Sequence, residues 1–101
     1  MKVIIPERVY ERLEKRLKFL KDNLDYSSLA ISNLRKSLLS RAKDLSNNPR
    51  IGQFEEYLED LEEGHRRIIE GNFKIIYLIE EDHIYITDFF HTSQDPLSIR
   101  G

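Results

Sequence analysis

Apolar residues recur at helical spacing through the first half of the chain. Between Pro6 and the turn at residues 25–28 they fall three or four positions apart, with charged residues on the other faces (Val9, Leu13, Leu17, Leu20 and Leu24). A second run with this spacing extends to residue 47, just before Pro49 (Ile31, Leu34, Leu38, Ala42 and Leu45). Because residues 25–28 offer turn and N-cap chemistry, the pattern predicts two long antiparallel helices joined as a hairpin.

The apolar period changes from helix to strand after Gly64. Three segments rich in Ile, Tyr, Phe and Thr predict strands at residues 66–70, 73–80 and 84–90, with turns at 71–72 and 81–83. Residues 1–5 predict a short first strand, residues 49–52 a turn, and the acidic residues 53–64 a connector. The order β-α-α-β-β-β indicates an α+β fold, with the helical hairpin packed on one face of a largely antiparallel sheet.

The composition limits the class of protein. A chain of 101 residues with 40% hydrophobic and 34% charged residues predicts one domain, residues 1–101. The longest uncharged apolar run, residues 75–79, is far shorter than the roughly 18 residues of a membrane helix, so we expect a cytoplasmic protein. The chain has no cysteine, which excludes disulfides, a thiolate nucleophile and a thiolate metal site.

Charge is divided unevenly between the two halves. Residues 1–50 contain twelve Lys and Arg against six Asp and Glu, whereas residues 51–101 contain four against twelve. Any basic surface must therefore lie in the first half, where it can meet an acidic partner protein. The three histidines lie in different segments without ligand spacing, so we expect neither a metal nor a cofactor.

The sequence HRRIIEGNFKIIYLIEEDHIYITDFFHTSQDP, residues 65–96, resembles the C-terminal half of the RelE/ParE superfamily of bacterial toxins. The likeness consists of an arginine in the first meander strand (Arg66 or Arg67), a Gly-containing turn, the strand at residues 73–77, and a last strand ending in His91-x-x-x-Asp95. Pro49-x-x-Gly52 also resembles a turn of these toxins. The resemblance therefore spans nearly the whole chain.

The resemblance implies the toxin of a type II toxin-antitoxin system, neutralised by an antitoxin peptide that wraps it. The RelE branch consists of ribosome-dependent mRNA endonucleases. The ParE branch has a longer helical hairpin, lacks a complete catalytic set and poisons DNA gyrase. A homodimer or a toxin-antitoxin heterotetramer is the expected assembly.

The candidate catalytic residues are His91, as an acid or base, and Arg67, as a phosphate clamp. The candidate substrate- or partner-binding residues are Arg66, Lys74, Tyr77, Gln94 and Asp95. Structural alternatives stand beside several of these roles. The His91 ring can bond to nearby backbone or Asp95, and Arg67 can pair with Asp88 or Glu80. Core packing is the favoured explanation for Phe73 and Tyr77, and residues 93–95 are typical turn formers.

The scarcity of cations in the second half favours the ParE-like interpretation. Its twelve carboxylates would repel RNA, and Thr92 follows His91 where some RelE-branch enzymes have a catalytic tyrosine. We therefore expect a gyrase inhibitor neutralised by a cognate antitoxin. The alternatives are an mRNA endonuclease that acts on the ribosome and a degenerate toxin that only binds its antitoxin.

Overall fold

Two amphipathic helices and a five-stranded sheet account for most of residues 1–100, the part of the chain that the computed structural model describes. The elements in chain order are β1 (Lys2–Ile4), α1 (Glu7–Asn23), α2 (Ser28–Asp44), β2 (Gln53–Phe54), a first 3-10 helix (Glu56–Leu61), β3 (Arg66–Glu70), β4 (Phe73–Glu80), β5 (His83–His91) and a second 3-10 helix (Pro96–Arg100). The predicted α+β class is confirmed.

The two helices are 17 residues long, which gives each a length of about 25 Å. Ser27 caps α2, because its hydroxyl accepts a hydrogen bond from the backbone N–H of Ala30 at 3.0 Å. Arg35 donates two hydrogen bonds to the carboxylate of Glu14, at 2.7 and 2.9 Å, and so joins the helices side by side. The apolar stripe of each helix faces the sheet, as its spacing predicts, except for Leu24, which follows the last residue of α1 and is 48% exposed.

The sheet has the strand order β1-β5-β4-β3-β2, and only the β1–β5 pair is parallel. The prediction of a plain connector at residues 53–64 was wrong. Gln53 and Phe54 form a fifth strand opposite Arg67 and Arg66, and the first 3-10 helix follows. A strand of two residues is too short to show periodicity, and the 3-10 helix buries only one apolar side chain, Leu58.

Each face of the sheet contributes to a different apolar cluster. The helix-side core joins both helices to three strands and includes Ile68, Phe73, Ile75, Tyr77, Ile84, Ile86 and Phe89. The second cluster lies on the opposite face and consists of Leu58, Ile76, Phe90 and Ile99. Its outer members belong to the two 3-10 helices, which contact each other and cover part of that face.

A β-bulge in β5 decides which face the end of this strand presents to the helices. Ile76 is opposite Asp88 while its neighbour Tyr77 is opposite Ile86, so Thr87 has no partner on β4. The alternation of side chains therefore shifts by one position after Ile86. As a result Phe89 lies in the helix-side core, although it is three positions from Ile86.

The buried hydroxyl of Tyr77 connects β4 to the turn at residues 49–52. It donates a hydrogen bond to the carbonyl oxygen of Pro49 at 2.8 Å and accepts one from the backbone N–H of Gly52 at 2.9 Å. A Cβ atom on Gly52 would lie 2.5 Å from this hydroxyl and 2.7 Å from the carbonyl oxygen of Arg67. The close approach of these groups explains why glycine stands at this position.

Replacing Tyr77 with phenylalanine should weaken the attachment of this turn. Tyr77→Phe leaves the N–H of Gly52 without its partner in a buried site, and we expect the free energy of unfolding to fall by about 1–3 kcal/mol. Urea denaturation measures this change. Tyr85→Phe is the matched control, because the hydroxyl of Tyr85 makes no hydrogen bond to the described residues. Equal losses in both variants would contradict the assignment.

Candidate functional site

His91 ends β5 on the helix side of the sheet. It lies opposite Phe73, and the two rings meet edge to face with their centroids 4.9 Å apart. The residue is only 6% exposed. Its Nδ1 atom is 2.6 Å from the hydroxyl of Ser93 and accepts a hydrogen bond from the backbone N–H of Ser93 at 3.1 Å. The expected hydrogen bonding of the ring to nearby backbone is therefore confirmed, and the partner is Ser93 rather than Asp95.

These hydrogen bonds fix the tautomer of the His91 ring. A backbone N–H can only donate, so Nδ1 must be unprotonated, and the neutral ring carries its proton on Nε2. Nε2 is buried and has no hydrogen-bond partner among residues 1–100. Burial lowers the pKa of His91 below its ordinary value of 6.5, which favours the neutral ring at neutral pH.

Arg67 and Lys74 lie on the opposite face of the sheet, where both pair with one buried carboxylate. Glu55 is 1% exposed; its Oε1 lies 2.8 Å from Nζ of Lys74 and 3.9 Å from the guanidinium of Arg67. Arg67 also donates a hydrogen bond to the carbonyl oxygen of Phe54 at 2.6 Å. The prediction that Arg67 forms an ion pair is confirmed. Its suggested partners, Asp88 and Glu80, were wrong.

Arg66 and Tyr77 also have structural partners. Arg66 donates to the carbonyl oxygen of Gly52 at 2.8 Å, and its guanidinium lies 4.3 Å from the ring centre of Phe54. Tyr77 is fully buried, which confirms its predicted packing in the core and leaves no surface for a partner. Burial raises the pKa of its hydroxyl.

Gln94 and Asp95 follow β5 in the turn that the sequence predicts. The side-chain oxygen of Gln94 accepts a hydrogen bond from the backbone N–H of His91 at 2.9 Å. The carboxylate of Asp95 accepts one from the N–H of Leu97 at 3.0 Å, at the start of the second 3-10 helix. Only Gln94, of the five predicted binding residues, lies beside His91.

The sheet separates the two candidate catalytic residues. Arg67 is opposite Ile76, a member of the second cluster, whereas His91 is opposite Phe73, a member of the helix-side core. Directly opposed residues in a sheet share a face, so the side chains of Arg67 and His91 point to different faces. General acid–base chemistry and phosphate stabilisation at one scissile bond need both groups within hydrogen-bond reach of the same substrate. This arrangement does not provide that.

A half-open cavity of about 530 Å³ lies between α1 and the end of β5. Its lining consists of Arg12, Lys15, Arg16, Phe19, Leu20, His91, Ser93 and Gln94. The sequence indicated His91 and Gln94. The cations of α1 were expected as part of a basic surface that can meet an acidic partner protein, but not at this cavity. A signal available in the sequence was Phe19, a large aromatic residue outside the apolar stripe of α1, and this residue is 52% exposed.

Arg16 holds α1 against the outer edge of β5. Its guanidinium donates hydrogen bonds to the carboxylate of Asp88 and to the backbone carbonyl of Phe89. β1 pairs with β5 only over residues 83–85, and beyond them Arg16 of α1 contacts the strand at residues 88 and 89. Arg16 and His91 both line the cavity.

Among residues 1–100, no group of three His, Cys, Asp or Glu side chains is arranged to hold a metal ion. The arrangement at the cavity instead provides hydrogen-bond donors, cations and an apolar floor. Such a set of groups is suited to recognition of an anionic group that has an apolar neighbour.

The buried Glu55 should be important for the stability of the fold because its carboxylate pairs with two cations. Glu55→Ala leaves Lys74 and Arg67 facing each other without their carboxylate, and we expect a loss of about 3 kcal/mol in the free energy of unfolding. Denaturant titration measures it. Glu56→Ala, at an exposed neighbouring position, should stay within about 0.5 kcal/mol of the parent. A loss at Glu55 no larger than that at Glu56 would show that the cluster is not structural.

The stability of the protein should decrease as the pH falls through the range in which histidines titrate. Burial lowers the pKa of both His65 and His91, so the unfolded chain takes up protons first as the pH drops below about 6.5. The contribution of the two neutral histidines to stability is fully present above pH 6.5. It is lost as the pH falls toward their lower pKa values in the folded protein. The hydrogen bond with Arg35 lowers the pKa of Glu14 below its ordinary value of 4.5. This carboxylate therefore affects the pH dependence of stability only below about pH 4.5.

Thermal denaturation between about pH 7.5 and about pH 5.5 tests this expectation. The parent should lose stability over this range, and the double variant His65→Gln/His91→Asn should lose much less. Asparagine keeps an acceptor near the position of Nδ1 for the N–H of Ser93. Parallel pH profiles for parent and variant would contradict the assignment.

The comparison with protein families agrees with the fold and with the motifs along the chain. The family model described as ParE toxin of the type II toxin-antitoxin system parDE matches residues 8–96, which include α1 from its second residue, all of α2, the whole meander and His91. The comparison with curated proteins finds no match. None of the helices within residues 1–100 is long and apolar enough to cross a membrane. The chain belongs to the ParE toxin family of type II toxin-antitoxin systems.

Proposed function

We propose that this chain arrests growth by inhibiting DNA gyrase, and that a cognate antitoxin holds it inactive through a segment lying between the helices and the sheet. The observation that carries the proposal is the separation of His91 from Arg67 and Lys74 by the sheet. A toxin without an assembled catalytic site must act by binding its target. Since gyrase acts on the chromosome, the proposal implies a cytoplasmic toxin.

The state of each candidate group also favours binding over catalysis. Lys74 and Arg67 both pair with the carboxylate of Glu55 in the folded protein, so neither cation is unpaired and available to a dianionic phosphate. His91 is buried, which lowers its pKa and favours the neutral ring, and its only hydrogen-bonded ring nitrogen is bonded to Ser93. Proton transfer to a bound RNA would require this site to rearrange.

The surfaces available for a target lie on the helical hairpin. The first half of the chain contains twelve Lys and Arg against six Asp and Glu, and most of these side chains are exposed. Long basic helices can present this charge to an acidic protein surface, and such complementarity raises the rate of association. A nucleic acid approaching the meander would instead meet the acidic half of the chain.

A supercoiling assay with the purified protein tests the proposal. The toxin should inhibit supercoiling of a relaxed plasmid by gyrase, and the cognate antitoxin should restore it. The variant His91→Asn should retain inhibition, because no proton transfer is involved. Translated mRNA should remain intact after induction of the toxin in cells.

Three outcomes would contradict this assignment. Unimpaired gyrase at high toxin excess would exclude the proposed target. Cut transcripts that disappear in the variants His91→Ala and Arg67→Ala would assign the chain to the mRNA endonucleases. Normal growth of cells that express the chain without any antitoxin would indicate a degenerate toxin that only binds its antitoxin.

A further inference from the structure

We propose that copies of this chain associate head to tail, through an acidic row on the first 3-10 helix of one copy and the outer face of α2 of the next copy. The acidic row consists of Glu56, Glu59 and Glu62, and the outer face of α2 is the surface around Lys36 and Lys43. In this arrangement the carboxylates meet the two lysines, and an exposed phenylalanine packs beside them. The inference is independent of the toxin's target and of its antitoxin.

The first 3-10 helix places its acidic row on one side. Side chains three positions apart in a 3-10 helix lie above one another, so Glu56 and Glu59 share a side, and Glu62 caps the helix three residues further on. All three are exposed, and none forms an ion pair with any residue that the structure describes. At about 2 Å per residue, the row is roughly 12 Å long.

An exposed aromatic side chain lies next to this row. Phe54 is 63% exposed at the edge of the sheet, and the guanidinium of Arg66 lies 4.3 Å from its ring centre. Phe54, Glu59 and Glu62 line one half-open depression of about 280 Å³, so the ring and the carboxylates belong to a shared surface. A large exposed apolar side chain surrounded by polar groups is a typical feature of a contact between proteins.

The outer face of α2 has the opposite charge. α2 contains four Lys and Arg but a single carboxylate, Asp44. Lys36 and Lys43 are exposed and form no ion pair within residues 1–100. Together with Leu39, Ser40 and Asp44 they line an open depression of about 510 Å³. Seven helical residues separate the lysines by about 10.5 Å, which is close to the length of the acidic row.

A second copy of this chain is the partner because one chain carries both complementary surfaces. These surfaces lie on opposite sides of the sheet. α2 packs on the helix-side core, whereas Leu58 of the first 3-10 helix belongs to the second cluster. Two surfaces that face in different directions do not pair reciprocally in a two-fold dimer, so each contact leaves a free surface at both ends of the assembly. The association should therefore be open-ended and increase with concentration.

Sedimentation equilibrium of the purified full-length toxin tests the inference. In about 50 mM salt, the average mass should rise with protein concentration beyond that of a dimer. In about 500 mM salt it should return to the mass of a monomer, because exposed ion pairs are weak and are screened by salt.

Charge reversal on each surface identifies the contact. Lys36→Glu/Lys43→Glu and Glu56→Lys/Glu59→Lys should each weaken the association by at least about tenfold in the low-salt buffer, because both surfaces then carry the same charge. An equimolar mixture of the two variants should associate again, since the acidic α2 of one is complementary to the basic 3-10 helix of the other.

Two further variants separate net charge from the apolar contribution. The matched control Arg8→Glu/Lys21→Glu changes the net charge as much as the α2 variant does, at exposed positions of α1, and should associate within about threefold of the parent. Phe54→Ala should weaken the association by about fivefold. Circular dichroism spectra check that each variant is folded.

Four outcomes would overturn the inference. They are a parent that stays monomeric in low salt, a control that loses association as completely as the α2 variant, a mixture of the reversed variants that stays monomeric, and a salt-resistant dimer that both variants retain. A monomeric parent whose binding to antitoxin or gyrase falls in the same variants would assign the two surfaces to that partner. Failure of the toxin to inhibit gyrase would leave the sedimentation result unaffected.

Discussion

The arrangement of this toxin depends on the contact of Arg16 with the outer edge of β5. Past residue 85 that edge has no neighbouring strand, and an exposed edge carbonyl would otherwise be open to water or to another chain. Arg16 satisfies the carbonyl of Phe89 and the carboxylate of Asp88 together, and its guanidinium lies 5.9 Å from the ring centre of Phe90. One side chain thus fixes α1 beside the strand end that contains His91.

The bulge in β5 decides which functional side chain lies beside the contact between Arg16 and the strand edge. By shifting the alternation after Ile86, it places His91 under the helices, while Arg67 and Lys74 remain on the opposite face with Glu55. The candidate groups of a nuclease site are thereby divided between two environments. One is a structural ion cluster, and the other is a cavity rimmed by α1. The second environment provides cations and hydrogen-bonding groups beside apolar side chains.

Much of the fold could be predicted because it depends on periodicity. The apolar stripes of the helices, the meander and the burial of Tyr77 follow from spacing and side-chain type alone. The bulge, β2 and the first 3-10 helix could not be predicted, since each involves a few residues without a repeating pattern. The cavity was missed for a different reason. Helical spacing shows which face of α1 is apolar, but it does not show that Arg12 and Lys15 lie beside the end of a particular strand.

The most direct test of the central claim is a double-mutant cycle between α1 and β5. The free energies of unfolding of the parent, Arg16→Met, Asp88→Ala and the double variant give the coupling energy of the pair, while methionine retains much of the packing of the arginine stem. Because both side chains are largely buried, we expect a favourable coupling of about 1.5 kcal/mol or more. A coupling energy near zero would mean that α1 is held on the sheet by apolar packing alone, and would contradict the role given to Arg16.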